Sequence, residues 1–174
     1  MRIEVQMNFS KRLYMIFLSI TILSLFLLLF SWYKSYQFDH NPISNDIKRQ
    51  VKNKQIQLVK LIKRKYQMNF IVPLIITDQM KSSLFGMTTY ETKSNQITIY
   101  LNKKRFKESL DYMIDDVIPH EYAHAIMFKF GEFSNKNAGH TLQWQKVCRS
   151  LEGLRCDRFV NHKDILIDKT KLFY

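Results

Sequence analysis

The stretch Val117 to Ala125 reads VIPHEYAHA. His120 and His124 stand four residues apart, so on a helix both imidazoles leave the same face, one turn from each other. Neutral imidazoles are good ligands for Zn2+, at about 2.0–2.1 Å. Glu121 lies beside the first of them. In an H-E-x-x-H motif this carboxylate can reach the water that the metal activates and act as its general base. Only five histidines occur in the chain, and two of them fall in this motif. The chemistry implied is hydrolysis of a peptide bond by metal-activated water.

A catalytic zinc takes three protein ligands and leaves a fourth position for water. The branch H-E-x-x-H-x-x-G-x-x-H would need Gly at 127 and His at 130; Met127 and Phe130 stand there, which excludes it. Glu132 and Glu152 are candidates for the third ligand, and His140 is the favoured one. Trp144, Val147, Cys148 and Leu151 follow His140 at helical intervals. His140 therefore starts the buried stripe of the last helix and faces the helix that carries the motif. Tyr122 lies inside the motif but points off its metal face. His40 receives no role, and His162, in the tail, reads as a solvent-facing or a pocket residue.

The elements that must position these residues can be read from periodicity. A helix is predicted over Ser44–Tyr66, with Ile47, Val51, Leu58, Val59, Ile62 and Tyr66 inward and Ser44 or Asp46 as cap. Gln55 interrupts that stripe, and Ile56 falls on the far side. Three strands follow, over Phe70–Thr77, Leu84–Tyr90 and Gln96–Asn102. Pro73 makes the first an edge strand, and Gly86 marks a bulge or a close backbone approach in the second. Thr92–Asn95 makes the hairpin turn between the last two. A helix over Lys107–Phe130 carries the motif, with Gly131 as its C-cap. Pro119 inside it removes one helical hydrogen bond and predicts a kink. The last helix runs over Thr141–Glu152 and stops at Gly153. The fold class is α+β, a small three-stranded sheet packed on helices.

Leu13–Tyr33 carries no charge, and about 20 apolar residues span a bilayer core. Trp32 and Tyr33 sit where an interfacial aromatic belt belongs. The run is longer than a signal-peptide core, and no A-x-A site follows it. The chain thus divides into a tail (1–12), a transmembrane anchor (13–33), a linker (34–43) and a catalytic domain (44–174). Arg2, Lys11 and Arg12 on one side nearly balance Lys34, Lys48, Arg49 and Lys52 on the other. Because large domains translocate largely regardless of charge, the domain is placed outside the cytoplasm of a single-pass membrane protein.

The formal net charge is +12, which favours anionic partners without choosing among them. Much of it lies on the first soluble helix: Lys48, Arg49, Lys52, Lys54, Lys60, Lys63, Arg64 and Lys65. This run reads as a solvated face, as a patch on anionic lipid headgroups, or as a grip on nucleic-acid phosphates. Cys148 and Cys156 are too few for a disulfide framework. They read first as two small buried hydrophobes, able to pair in an oxidising compartment.

The segments DDVIPHEYAHAIMFKFG (115–131) and GHTLQWQKVCRSLEG (139–153) resemble a SprT-like domain. The resemblance covers roughly Gln67–Phe159, and it includes Gly86 and ITIYLNKKRF (97–106) ahead of the motif. It implies a zincin-like fold, zinc held by His120, His124 and His140, and Glu121 as the catalytic residue. Three features depart from the family pattern, the membrane anchor being one. Of the paired cysteines of a carboxy-terminal zinc ribbon, nothing beyond Cys156 follows the last helix. His162, in RCDRFVNHKD (155–164), is displaced from the family's T-H-x-F-like segment. The expected function is a membrane-anchored, zinc-dependent metalloprotease with protein or peptide substrates, tied to lipid by its amino-terminal helix. A SprT-type protease acting on DNA-bound proteins and a non-catalytic zinc-containing membrane scaffold are the alternatives.

Overall fold

The computed structural model describes residues 2–133 and 139–157 and divides the chain into two units, Met1–Pro42 and Ile43–Tyr174. His162 lies outside the described residues. The first unit is one helix, α1 (Arg2–His40). From Phe9 to His40 it is long and apolar enough to cross a membrane. It continues through residues 34–40, where the sequence predicts a linker. No Gly or Pro interrupts it before Pro42, whose ring disfavours helical geometry at Asn41.

The second unit begins with α2 (Asn45–Tyr66). Ser44 caps it, its Oγ accepting from the Ile47 N–H at 3.3 Å. Val51, Leu58, Leu61 and Ile62 are buried. Lys54 is buried as well, which corrects its placement on the solvated basic face. Its ammonium lies 2.8 Å from Asp115, a partner that compensates the loss of hydration. Gln55, the polar interruption of the stripe, donates to the Val72 carbonyl at 2.7 Å and to the Tyr122 hydroxyl at 3.1 Å. It therefore ties α2 to the strand approach and to the motif helix.

The sheet contains β1 (Leu74–Thr77), β2 (Gly86–Glu91) and β3 (Gln96–Asn102) in the order β1-β3-β2. β1 pairs parallel with β3 and β2 antiparallel, with Leu74 and Thr88 both opposite Ile99. β1 is an edge strand, as Pro73 predicts, and it starts just after that residue. Asn102, fully buried, fixes the loop that leads into β2. Its side-chain amide donates to Leu84 O at 2.8 Å and to Lys81 O at 3.2 Å.

The single helix predicted over Lys107–Phe130 is four pieces. α3 (Lys103–Glu108) follows β3 directly. The chain then extends at Ser109, whose hydroxyl caps α4 (Leu110–Tyr112) by accepting from Tyr112 N–H at 3.3 Å. A π-helical turn (Met113–Val117) leads into α5 (Ile118–Lys129). Pro119 offers no N–H to the Asp115 carbonyl, and its ring crowds that carbonyl. The extra residue of the wider turn relieves this. Gly131, at φ 79°, ends α5. Glu132 N–H bonds Met127 O at 2.9 Å and Gly131 N–H bonds Phe128 O at 3.0 Å, a Schellman closure.

α6 (Leu142–Ser150) closes in the same way, but the left-handed position is Glu152, at φ 62°, one residue before the expected Gly153. Gly153 is needed for space: a Cβ there would stand 2.8 Å from Cys148 Sγ. Cys148 and Cys156 are joined in a disulfide and both are buried, so the thiol reading is corrected. Two cysteines flanking a helix terminus at this separation bring their Cα atoms to 5.8 Å, within bridging range.

Candidate active site

α5 places His120 and His124 on one face, as their spacing requires. His140 reaches them from a tight turn. Gly139 takes φ 82°, and its carbonyl accepts from Thr141 N–H at 2.9 Å, which closes the chain around His140. Thr141 then caps α6, accepting from Trp144 N–H at 3.2 Å. His140 thus precedes the helix it is predicted to open. Its Nε2 lies 3.2 Å from His124 Nε2 and 3.1 Å from His120 Nε2.

Burial, then the neighbouring imidazoles, pushes His120 and His124 down to about 3. Their rings stay neutral at physiological pH, with lone pairs available. Three imidazoles bound tetrahedrally at about 2.0–2.1 Å would have nitrogens about 3.3 Å apart, close to the spacing here. Among the described residues, no other group of His, Cys, Asp or Glu brings three ligand atoms together in this way. Glu132 is exposed, and Glu152 accepts from Gln57 at 3.1 Å. Neither joins the histidines.

Trp144 is the floor beneath them. It is fully buried, and its ring centroid lies 4.6, 5.0 and 4.4 Å from those of His120, His124 and His140. Such contacts fix imidazole rotamers, and rotamers decide whether three nitrogens converge.

Glu121 is buried on the wall toward β2. Desolvation pushes its carboxyl up to about 7, against the opposing effect of Thr88. Thr88 Oγ1 lies 2.7 Å from Glu121 Oε2 and 2.9 Å from the Glu121 carbonyl. A bound dication would favour the ionised form. Gly86 is the close approach its type predicts: a Cβ there would stand 2.7 Å from Glu121 Cγ and Oε1. Sequence reasoning misses Thr88. The available signal is its position two residues from Gly86, on the same face of β2. Tyr122 is buried and bonded to Gln55, off the metal face as expected.

Asp116, one turn before His120, is buried and accepts from the Arg155 N–H at 2.9 Å. It holds the loop that the disulfide closes against the π turn leading into the motif helix. His120, Glu121, His124 and His140 open into a cleft of about 900 Å³. Half-buried converging imidazoles, an adjacent carboxylate and an open cleft are what a hydrolytic metal centre would need.

No curated protein and no solved structure matches this chain significantly. Residues 49–164 match the SprT-like family, and the chain, which is covered over well more than half its length, belongs to that family.

Proposed function

We propose that this protein is a membrane-anchored zinc metallopeptidase, with His120, His124 and His140 holding Zn2+ and Glu121 as general base. The observation that carries this reading is the convergence of three imidazole nitrogens, two of them on rings held neutral, beside a buried carboxylate at an open cleft. Zinc in this site would supply Lewis-acid polarisation of the scissile carbonyl and of the attacking water. Glu121 takes the proton of that water and returns it to the leaving amine, so no covalent intermediate forms. Thr88 and Gly86 orient the carboxylate: one by a hydrogen bond, the other by leaving space. Trp144 holds the three rings in register. The test is hydrolysis of unstructured protein by the zinc-loaded full chain, abolished by chelation and restored by added zinc. Absence of any zinc-dependent cleavage across varied protein substrates would contradict the reading.

The orientation of Glu121 gives a separate prediction. Gly86→Ala pushes a methyl into the carboxylate, which has to move. A misplacement of about 1 Å costs up to about 10²-fold in rate. Gly86→Ala is therefore expected to retain zinc and lower kcat/KM by about 10–100-fold. Unchanged kcat/KM would show that the Glu121 position seen here is not the working one.

The helix α1 serves as the anchor in this reading, and the catalytic unit lies outside the cytoplasm. The disulfide supports that side, because such bonds persist in oxidising compartments. It also counts against the DNA-associated reading, which needs a cytoplasmic domain. A loop of this size is worth about 2–3 kcal/mol in the chain-entropy account. Cys148→Ser combined with Cys156→Ser is expected to lower stability by that amount and make it insensitive to reductant. Protein isolated from cells with thiol blocking during lysis should carry no free thiol. Quantitative thiol labelling of both cysteines would place the domain in the cytoplasm and restore the DNA reading.

A further inference from the structure

The ridge that carries the histidines continues past them. Asp116, His120, His124 and Phe128 follow at four-residue intervals on the π turn and α5, and all four line the cleft. Phe128 is one turn, about 5.4 Å along the axis, beyond His124. β2 runs beside this ridge with Gly86, Thr88 and Tyr90 on one face. The first two meet Glu121. Tyr90 meets Phe128, with ring centroids 6.0 Å apart. Phe133, beyond the α5 terminus, completes the group. Its centroid is 4.8 Å from Tyr90 and 5.6 Å from Phe128, nearly parallel to the latter at 17°.

Three rings from three separate elements thus converge at one end of the cleft. Their spacing is that of favourable aromatic pairs. Phe133 is 50% exposed. A lone exposed phenylalanine is ordinary, but this ring stacks on Phe128 and meets Tyr90 at a tilt, inside a cleft continuous with the three histidines. One further side chain could add to the stack there. A peptide advances about 3.3 Å per extended residue, so one helical turn from His124 is one or two residues from the scissile bond. Glu132, exposed and lining the same end, adds negative charge at the rim.

We infer that Tyr90, Phe128 and Phe133 form a specificity subsite for an aromatic or large aliphatic side chain of the substrate, close to the scissile bond. This rests on the peptidase reading. Acidic side chains are rejected there by Glu132 and by the apolar floor.

The test uses the zinc-loaded full chain carrying Glu121→Gln, in detergent micelles, so that peptides bind without being cut. Peptides of one length carry Phe, Leu, Ala or Asp within two residues of the central bond, and empty micelles give the background. The Phe and Leu peptides are expected to bind about tenfold or more tightly than the Ala peptide, with the Asp peptide weakest. Adding Phe133→Ala should reduce the Phe-to-Ala ratio to about threefold or less, with zinc content unchanged; Phe133→Trp should preserve it. Equal binding of the Phe and Ala peptides, or a ratio untouched by Phe133→Ala, overturns the subsite. Cleavage of the same peptides by the wild type separates this inference from the peptidase reading. Discrimination in binding without any cleavage sinks the peptidase and leaves the subsite standing, whereas cleavage without discrimination does the reverse.

Discussion

Glu121→Gln is expected to lower peptide hydrolysis by about 10²–10⁴-fold in kcat/KM, the range a positioned general base supplies. The substitution keeps the shape of the side chain and its contact with Gly86. The Thr88 hydroxyl can still donate to the side-chain oxygen, as it can to the carboxylate 2.7 Å away. What is lost is the capacity to take the proton from water and pass it on. Zinc should remain, because Glu121 is not one of the three converging ligands. The metal-free fold should be as stable as the wild type or more so, since an amide avoids the desolvation of a buried carboxylate. Loss of activity with zinc and stability kept would exclude the scaffold reading, in which Glu121 has no chemistry. Retained peptidase activity would remove Glu121 from the mechanism.

Zinc is expected to raise the melting temperature of the wild type by roughly 10–20 °C, and His140→Ala to abolish that rise. At about a thousand times its dissociation constant a ligand stabilises a fold by about 4 kcal/mol, which sets this range for a domain of this size. Of the three converging histidines, His140 is the one whose removal is cleanest. It stands on the turn between Gly139 and Thr141, outside both helices, so its loss leaves α5 and α6 intact. With two imidazoles left, the site lacks the third ligand of a catalytic zinc centre. Differential scanning fluorimetry with zinc and with chelator checks this. An equal zinc-dependent shift in His140→Ala would mean that another residue completes the site.

What the sequence made legible follows from the reach of each signal. His120, Glu121 and His124 are set by the period of one helix, so spacing alone placed them. His140 is reachable because it starts the stripe that continues in Trp144, which packs beneath all three rings. Gly86 could be marked as a close approach, but its partner Glu121 lies on another element and is visible only in the fold. Thr88 is an ordinary strand residue by type, and only its register beside Glu121 gives it a role. The burial of Lys54 is not legible in α2 alone, because its counter-charge, Asp115, comes from the distant π turn. The break at Ser109 hid in a run of good helix formers, where a serine cap competes with continuation. Cysteine count and spacing leave the pairing of Cys148 and Cys156 open, because its geometry depends on the chain turning back after α6.

In the proposed site three histidines hold the metal and Glu121 stands outside the ligand set. Metal content per chain of the purified full-length protein decides this, comparing wild type, Glu121→Gln and His140→Ala. About one zinc per chain is expected in the first two and close to none in the third. A wild type without zinc, or a His140→Ala protein that keeps it in full, would overturn the three-histidine site.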